Sequence, residues 1–438
     1  MTERRETLLD QIEAFLIENL QALKVSSAPS GPGRPLVLPA LCLWAGLLVC
    51  VLRGFQSQQA LWRLLTVKGL WLFGRFSVSD QAVYDRLERG GIGPLQRLFE
   101  QISVVLRARL APFAISHLAS FASEVCVLDA TTLDRVARVL PAQRETAGDA
   151  PLLPGKLATL FDLRRQQWQQ ALFIDDPHEN DKVKARTLVQ SLPRGALVLA
   201  DLGYFGFDWF DWLTEQQYWW VSRLRAKTSY HVLHCFYAQG ETFDGLVFLG
   251  KYRADRAAHA VRLVQFRLGE RLCQYLTNVL DPQKLSMGDI AQLYARRWDI
   301  EMAFNLIKTH LGLHLLWSAK TVVIQQQVWA VLIIAQILQA FRLEIAGRAE
   351  VDPYDVSMAL LVQYAPQFAR MGYDPVQAFV EQGRAAGFIR PSRRIRIQAP
   401  VIPVSALLPV PENLRLERKP RHAQRKCAPR QPKSNLLE

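Results

Sequence analysis

From residue 119 onward the chain changes from helical spacing to short apolar runs: VCVL at 125–128, LATLFDL at 157–163, QQALFI at 169–174 and LVLA at 197–200. Runs of this length, bounded by polar turns, fit buried strands. Residues 181–191, between the third and fourth runs, have helical periodicity. A helical crossover is what allows two strands to run parallel. The segment therefore predicts an α/β unit around a mixed, partly parallel sheet flanked by helices. Residues 207–217 read as another helix. Beyond them YWWVSRLR, YHVLHCFY, GLVFLGKY and HAVRLVQFRL form a β-rich insertion running to about residue 279.

Both flanks of this unit are helical. Residues 1–118 begin with an amphipathic stretch, MTERRETLLDQIEAFL, that lacks the core of a signal peptide, followed by a Ser/Pro/Gly linker at 26–35. Residues 36–52 are apolar, but they are short for a membrane span and are broken by Pro39 and Gly46, so they predict a buried helix. Helical patterns at 56–68 and 80–89 are separated by a turn around Gly74, with Ser79 placed to cap the second. Ala82, Val83 and Leu87 would face inward and Gln81, Asp85, Arg86 and Arg89 would stay free. That fits a helix-turn-helix and equally any small bundle. Residues 325–346 predict an apolar helix filling the core, and 348–390 are helical again. The expected divisions are 1–118 (helical, DNA-binding), 119–225 and 286–346 (the two parts of the α/β unit), 226–285 (insertion), 347–390 (helical) and 391–438 (a flexible basic tail).

The 438 residues carry a formal charge of +13, which favours a polyanionic partner, nucleic acid before a membrane surface. Most of the excess lies in the tail, where eleven Lys or Arg between residues 391 and 434 face only Glu412 and Glu417. Six scattered cysteines, with no CxxC pair and no zinc spacing, indicate a reducing compartment, the cytoplasm.

Two of the strands run into an aspartate, VCVLD at Asp129 and LVLAD at Asp201. Acids at the carboxyl ends of strands in an open α/β sheet stand where such sheets bind ligands, although Asp also begins loops and caps helices. If a third acid from a later helix joined them, the crowded charge would call for divalent cations bound through oxygen. Two ions about 3.5–4 Å apart suit in-line phosphoryl transfer. His178, Glu179 and Asp181 make a rival cluster, which also reads as a polar loop entering the 181–191 helix.

The third acid has a candidate in YARRWDIEMAFNLIKTHLGLH, residues 294–314. On an ideal helix Tyr294, Arg297, Glu301 and Lys308 fall within about 60° of one another. One reading is a solvated face with an i,i+4 Arg297–Glu301 pair. The other is a carboxylate beside a polyanion with cations to grip it. Helix geometry does not choose between them. Trp298 fits either core packing or stacking on an unpaired base. Arg223, Arg225 and Lys227, leading into the insertion, fit a DNA channel or plain surface charge.

Tyr294-x2-Arg297-x3-Glu301-x6-Lys308 resembles the full Y-x2-R-x3-E-x6-K signature of bacterial DDE transposases of insertion-sequence group four. LDATTL around Asp129 and ADLGYF around Asp201 resemble that family's other two acidic motifs, in the same order. The resemblance covers roughly residues 120–345. It implies an RNase H-like catalytic core interrupted by the insertion, with Asp129, Asp201 and Glu301 as catalytic residues and ligands of two Mg2+ ions, Mn2+ being a substitute. It also implies that Arg297 and Lys308 grip phosphates, that Tyr294 bonds a phosphate oxygen, and that Trp298 contacts DNA near the cut. The expected partner is double-stranded DNA at element ends and target, bound by a homodimer in the nucleoid and not at a membrane. The alternatives are a metal-dependent nuclease without strand transfer and a repressor with a dead core.

Overall fold

The computed structural model describes residues 37–70, 74–133, 155–176, 178–251, 256–392 and 397–418. The amphipathic start, the 26–35 linker and the last basic residues lie outside them.

In chain order the N-terminal helices are α1 (Ala40–Leu52), α2 (Gln58–Arg63, running into a π-turn, Leu64–Lys68), α3 (Asp80–Gly90) and α4 (Gly93–Arg109). Strands β1 (Val125–Thr132), β2 (Lys156–Asp162) and β3 (Gln167–Ile174) follow, then α5 (Lys182–Val189), β4 (Leu197–Ala200) and α6 (Phe207–Glu215). Next come β5 (Trp219–Arg223), β6 (Tyr230–Gln239), β7 (Thr242–Leu249), β8 (Val261–Leu268) and β9 (Arg271–Thr277). The chain then forms α7 (Met287–Arg296), α8 (Asp299–Asn305), a π-turn (Leu306–His310), α9 (Thr321–Ala349), α10 (Met358–Arg370) and α11 (Pro375–Gln382).

The nine strands of the described residues join one mixed sheet in the order β3-β2-β1-β4-β5-β9-β8-β7-β6. β1, β2 and β3 pair antiparallel, while β1–β4 and β4–β5 pair parallel. The insertion strands extend this sheet through the antiparallel β5–β9 ladder. Both faces of the central strands are covered, which explains their unbroken apolar text. Val125 and Val127 of β1 pack with the N-terminal helices and α9, whereas Cys126 and Leu128 face α5 and α6.

α9 packs with the N-terminal helices against one face of the sheet, and 83% of its most apolar window is buried within the protein, although its length and hydropathy would suffice to cross a membrane. Three of its four buried glutamines have specific partners. Gln326 donates to the carbonyls of Leu87 (2.7 Å) and Gly91 (2.8 Å), Gln327 accepts from Trp317 N–H (3.0 Å) and donates to Leu315 (2.8 Å), and Gln336 donates to Ser103 Oγ (3.0 Å). Gln336 also accepts from Trp168 N–H (2.8 Å) and donates to Trp168 C=O (2.9 Å). β3 is an edge strand with a bulge at this point, so one side-chain amide satisfies a residue that lacks a neighbouring strand. Gln336→Leu keeps the volume but orphans both backbone groups. It should cost about 2–4 kcal/mol, read as a lower urea midpoint with an unchanged slope. An unchanged midpoint would show that water replaces the amide freely.

Two expectations need correction. Ser79 does cap α3, accepting from Ala82 N–H at 3.2 Å. Arg86, however, is not free: its guanidinium donates to the Leu38 carbonyl, and Gln81 is paired with Asp85 at 2.7 Å. The i,i+4 spacing and the nearby start of α1 use these groups internally. In addition, residues 397–418 lie along the insertion, with Leu408 N–H on Phe236 C=O (2.9 Å), Ala260 N–H on Leu416 C=O (2.7 Å) and Arg418 N–H on Ala258 C=O (2.8 Å). Contacts made by backbone leave no apolar pattern to read.

Candidate active site

The parallel pairing of β1 and β4 ends at Leu128 opposite Ala200. The next residue on each strand is an aspartate, so Asp129 and Asp201 stand side by side at the same level. Asp201 ends its strand as expected. Asp129 does not: β1 continues to Thr132 because β2 still pairs with it, Asp129 lying opposite Thr159. Each aspartate is fixed by the residue that follows it. Asp129 Oδ1 accepts from Ala130 N–H at 2.8 Å, and Asp201 Oδ1 accepts from Leu202 N–H at 2.6 Å.

Glu301 arrives from the other side of the chain. A capping box starts α7, in which Ser286 Oγ accepts from Asp289 N–H (3.1 Å) and the Asp289 carboxylate accepts from Ser286 N–H (3.3 Å). Just ahead of it, the fully buried Arg262 is held by both carboxylate oxygens of Asp244 (2.7 and 2.6 Å) and donates to Leu285 C=O at 2.5 Å. The insertion thus fixes where the glutamate helix begins.

The expected single helix over residues 294–314 is divided. It tightens to i→i+3 bonding at Arg297 and Trp298, resumes as α8, and widens into the π-turn before ending. The four signature residues therefore do not form one straight stripe. Tyr294 is buried, its ring packed against Tyr275 at 5.3 Å between centroids, and burial pushes its hydroxyl up to about 12. Arg297 turns inward, with Nη1 3.5 Å from Asp129 Oδ2 and 3.7 Å from Glu301 Oε1. Trp298 is 57% exposed on the outer side. There it lines a cavity of about 650 Å3 with Met302, His310, Arg342, Tyr354 and Arg390. Lys308 lies in the π-turn, partly exposed.

Burial raises the Asp129 carboxyl from 3.8 to about 7. Glu301 and Asp201 push the same way, while the Ala130 N–H and Arg297 oppose them. Among the described residues no three His, Cys, Asp or Glu side chains stand close enough to hold a metal ion. The reason is visible at Asp129 and Glu301, since the Arg297 guanidinium occupies the space between them at distances too long for hydrogen bonds. A cation already sits where two carboxylates face each other. The donor set, carboxylate oxygen with no soft ligand, fits a hard divalent ion once that arginine moves aside.

The rival cluster is a loop entering α5. Lys156 Nζ donates to the Glu179 carbonyl (2.7 Å) and to Asp181 Oδ1 (2.9 Å), and His178 N–H is bonded to Asp176. Arg225, which fitted a DNA channel or plain surface charge, is exposed, donates to Leu202 C=O (2.9 Å) and lies over the Phe205 ring. Sequence reading missed a buried hub beneath α8. Gln166, in the β2–β3 turn at φ +54°, donates to Asp299 Oδ2 (3.1 Å) and accepts from Arg342 (3.0 Å) and the Tyr354 hydroxyl (2.9 Å). Its only trace in the text is polar residues inside apolar segments.

Residues 121–337 match the family model described as the transposase DDE domain. The chain is 25% identical over 175 residues to the y4zB protein of Sinorhizobium fredii, named as a transposase, covering 38% of this chain and 48% of that one. It is 25% identical over 199 residues to the transposase InsG for insertion sequence element IS4 of Escherichia coli, covering 43% and 44%. The chain thus spans less than half the length of these relatives. Among solved structures, the piggyBac transposase synaptic complex with hairpin DNA is similar at a TM-score of 0.39 and 10% identity, over 87% of this chain and 82% of that one. The matched segment holds β1, β4 and α8, and with them Asp129, Asp201 and Glu301; through it the chain is similar to the transposase DDE domain family.

Proposed function

We propose that the protein is a DNA transposase that binds the terminal inverted repeats of its own insertion sequence, cuts strands at the element ends and joins them to target DNA as a homodimer. The observation that carries this reading is the convergence of Asp129 and Asp201, level on neighbouring parallel strands, with Glu301 across an interposed arginine. The antiparallel β1–β2–β3 hairpins followed by parallel β4 and β5 support an RNase H-like core.

In this reading Asp129, Asp201 and Glu301 hold two Mg2+ ions. The bound metal supplies an activated nucleophile and a stabilised leaving oxygen. Arg297 is the movable part. It neutralises Asp129 and Glu301 while the site is empty of DNA and turns to a substrate phosphate when one arrives. Lys308 contacts the phosphate backbone further along, the Tyr294 hydroxyl bonds a phosphate oxygen from its packed position beside Arg297, and Trp298 stacks on an unpaired base. The basic residues of 391–438 add counterion-release affinity without sequence preference. The divisions at 118, 225, 285, 346 and 390 mark parts of the reading, with residues 1–118 recognising DNA.

Incubating the purified chain with its element-end duplex and Mg2+ tests this. Nicked and joined products are expected. Nicks without joints would make it a metal-dependent nuclease, and a gel shift without nicks would make it a repressor.

A further inference from the structure

Tyr204 closes the short 3₁₀ turn Leu202–Tyr204 after Asp201, its N–H donating to the Asp201 carbonyl at 3.0 Å. The turn sends the ring back beneath the ends of β1 and β4, into the apolar layer with Leu128, Val198 and Ala200. The residue is 2% exposed, and its hydroxyl has no hydrogen-bond partner among the described residues. A buried hydroxyl without a partner is a net loss for folding, and a phenyl ring would fill the same space without it. Its presence therefore points to a state in which the hydroxyl is used.

Burial first, and then the charges of Asp129, Asp181 and Asp201 in that order, hold the hydroxyl's proton firmly, well above the ordinary value. Tyr204 is thus a donor at any working pH. Asp181 already has Lys156 at 2.9 Å. Asp129 and Asp201 each commit only Oδ1 to the next backbone N–H. Asp129 Oδ2 has Arg297 at 3.5 Å, and that contact ends when the arginine turns to a phosphate.

We propose that Tyr204 is a positioning residue of the carboxylate site, whose hydroxyl donates from beneath the sheet end to the Asp129–Asp201 pair, directly or through one water, when Arg297 leaves. This rests on the reading given under Proposed function. The donor at the back fixes each carboxylate's rotamer, so that the opposite oxygen is aimed at the cation. Partners behind a ligating carboxylate commonly change cation affinity 10–100-fold.

The test compares the full-length wild type, Tyr204→Phe and Asp129→Asn by three measurements: metal-free melting, Mn2+ titration by calorimetry, and the Mn2+ concentration for half-maximal nicking of element-end DNA. Tyr204→Phe is expected to melt at or above the wild-type temperature, because no bond is lost. Its Mn2+ affinity should fall about 10-fold or more, with the nicking midpoint raised in parallel. Wild-type affinity and midpoint in Tyr204→Phe, alongside lost Mn2+ binding in Asp129→Asn, would overturn this inference alone. A melting temperature lowered by several degrees would also overturn it, since the hydroxyl would then be bonded in the resting fold. If wild type and Asp129→Asn bind Mn2+ alike, the carboxylate site itself falls and takes the inference with it.

Discussion

Glu301→Gln should abolish strand cleavage while leaving DNA binding intact. The side chain is partly exposed in the first turn of α8, so the fold should survive. What disappears is one of the charges that draws a cation to the site. Losing a single preorganised charge in a catalytic centre costs about 10²–10³-fold or more. Binding should hold or tighten, since a negative charge near phosphate has gone. Lys308→Ala makes the opposing control: it should weaken binding by about 1–2 kcal/mol, the worth of a charge-assisted hydrogen bond. Gel shifts and nicking assays, with melting curves beside them, separate the two effects. Cleavage at the wild-type rate by Glu301→Gln would remove the triad from this account.

Asp129→Asn should stabilise the metal-free protein at pH 8 and abolish its cleavage. The folded carboxyl titrates near 7 and its ordinary value is 3.8. A raised carboxyl favours the folded state fully below the lower value, where both states are protonated. That contribution is lost as pH climbs from about 4 to about 7, because the unfolded chain releases its proton first. Above pH 7 the folded protein holds a buried charge that Arg297, at 3.5 Å, offsets only in part. At about 1.4 kcal/mol per unit, the asparagine variant should gain on the order of 2–4 kcal/mol at pH 8 and almost nothing at pH 4. Adding Mg2+ should reverse the order, since only the wild type binds it well. Parallel stability curves for the two proteins from pH 4 to pH 8 would show that Asp129 does not titrate as described.

The sheet was legible because its central strands are buried on both faces, which writes VCVL and LVLA as unbroken apolar text, and because α5 supplies the crossover between them. Asp129 and Asp201 were legible because the parallel ladder stops one residue before each. The division of the glutamate helix was not, since its cause lies elsewhere in the chain: Asp299 is drawn down by Gln166, a residue from a distant turn. Arg297 was expected on a phosphate through the family resemblance, yet in the resting fold it faces Asp129 and Glu301, the second being the i,i+4 partner that helix spacing also allowed. Residues 397–418 escaped notice because backbone pairing leaves no side-chain signature.

The glutamines of α9 bear on how such proteins can be recombined. Gln326 satisfies the end of α3, Gln336 reaches both α4 and the β3 edge, and Gln327 holds the loop entering α9. A graft that replaced residues 37–118 would exchange the partners of Gln326 and the Ser103 partner of Gln336, leaving buried amides unmatched. The exchangeable unit is therefore larger than the N-terminal helices alone: a replacement must arrive together with a matching α9.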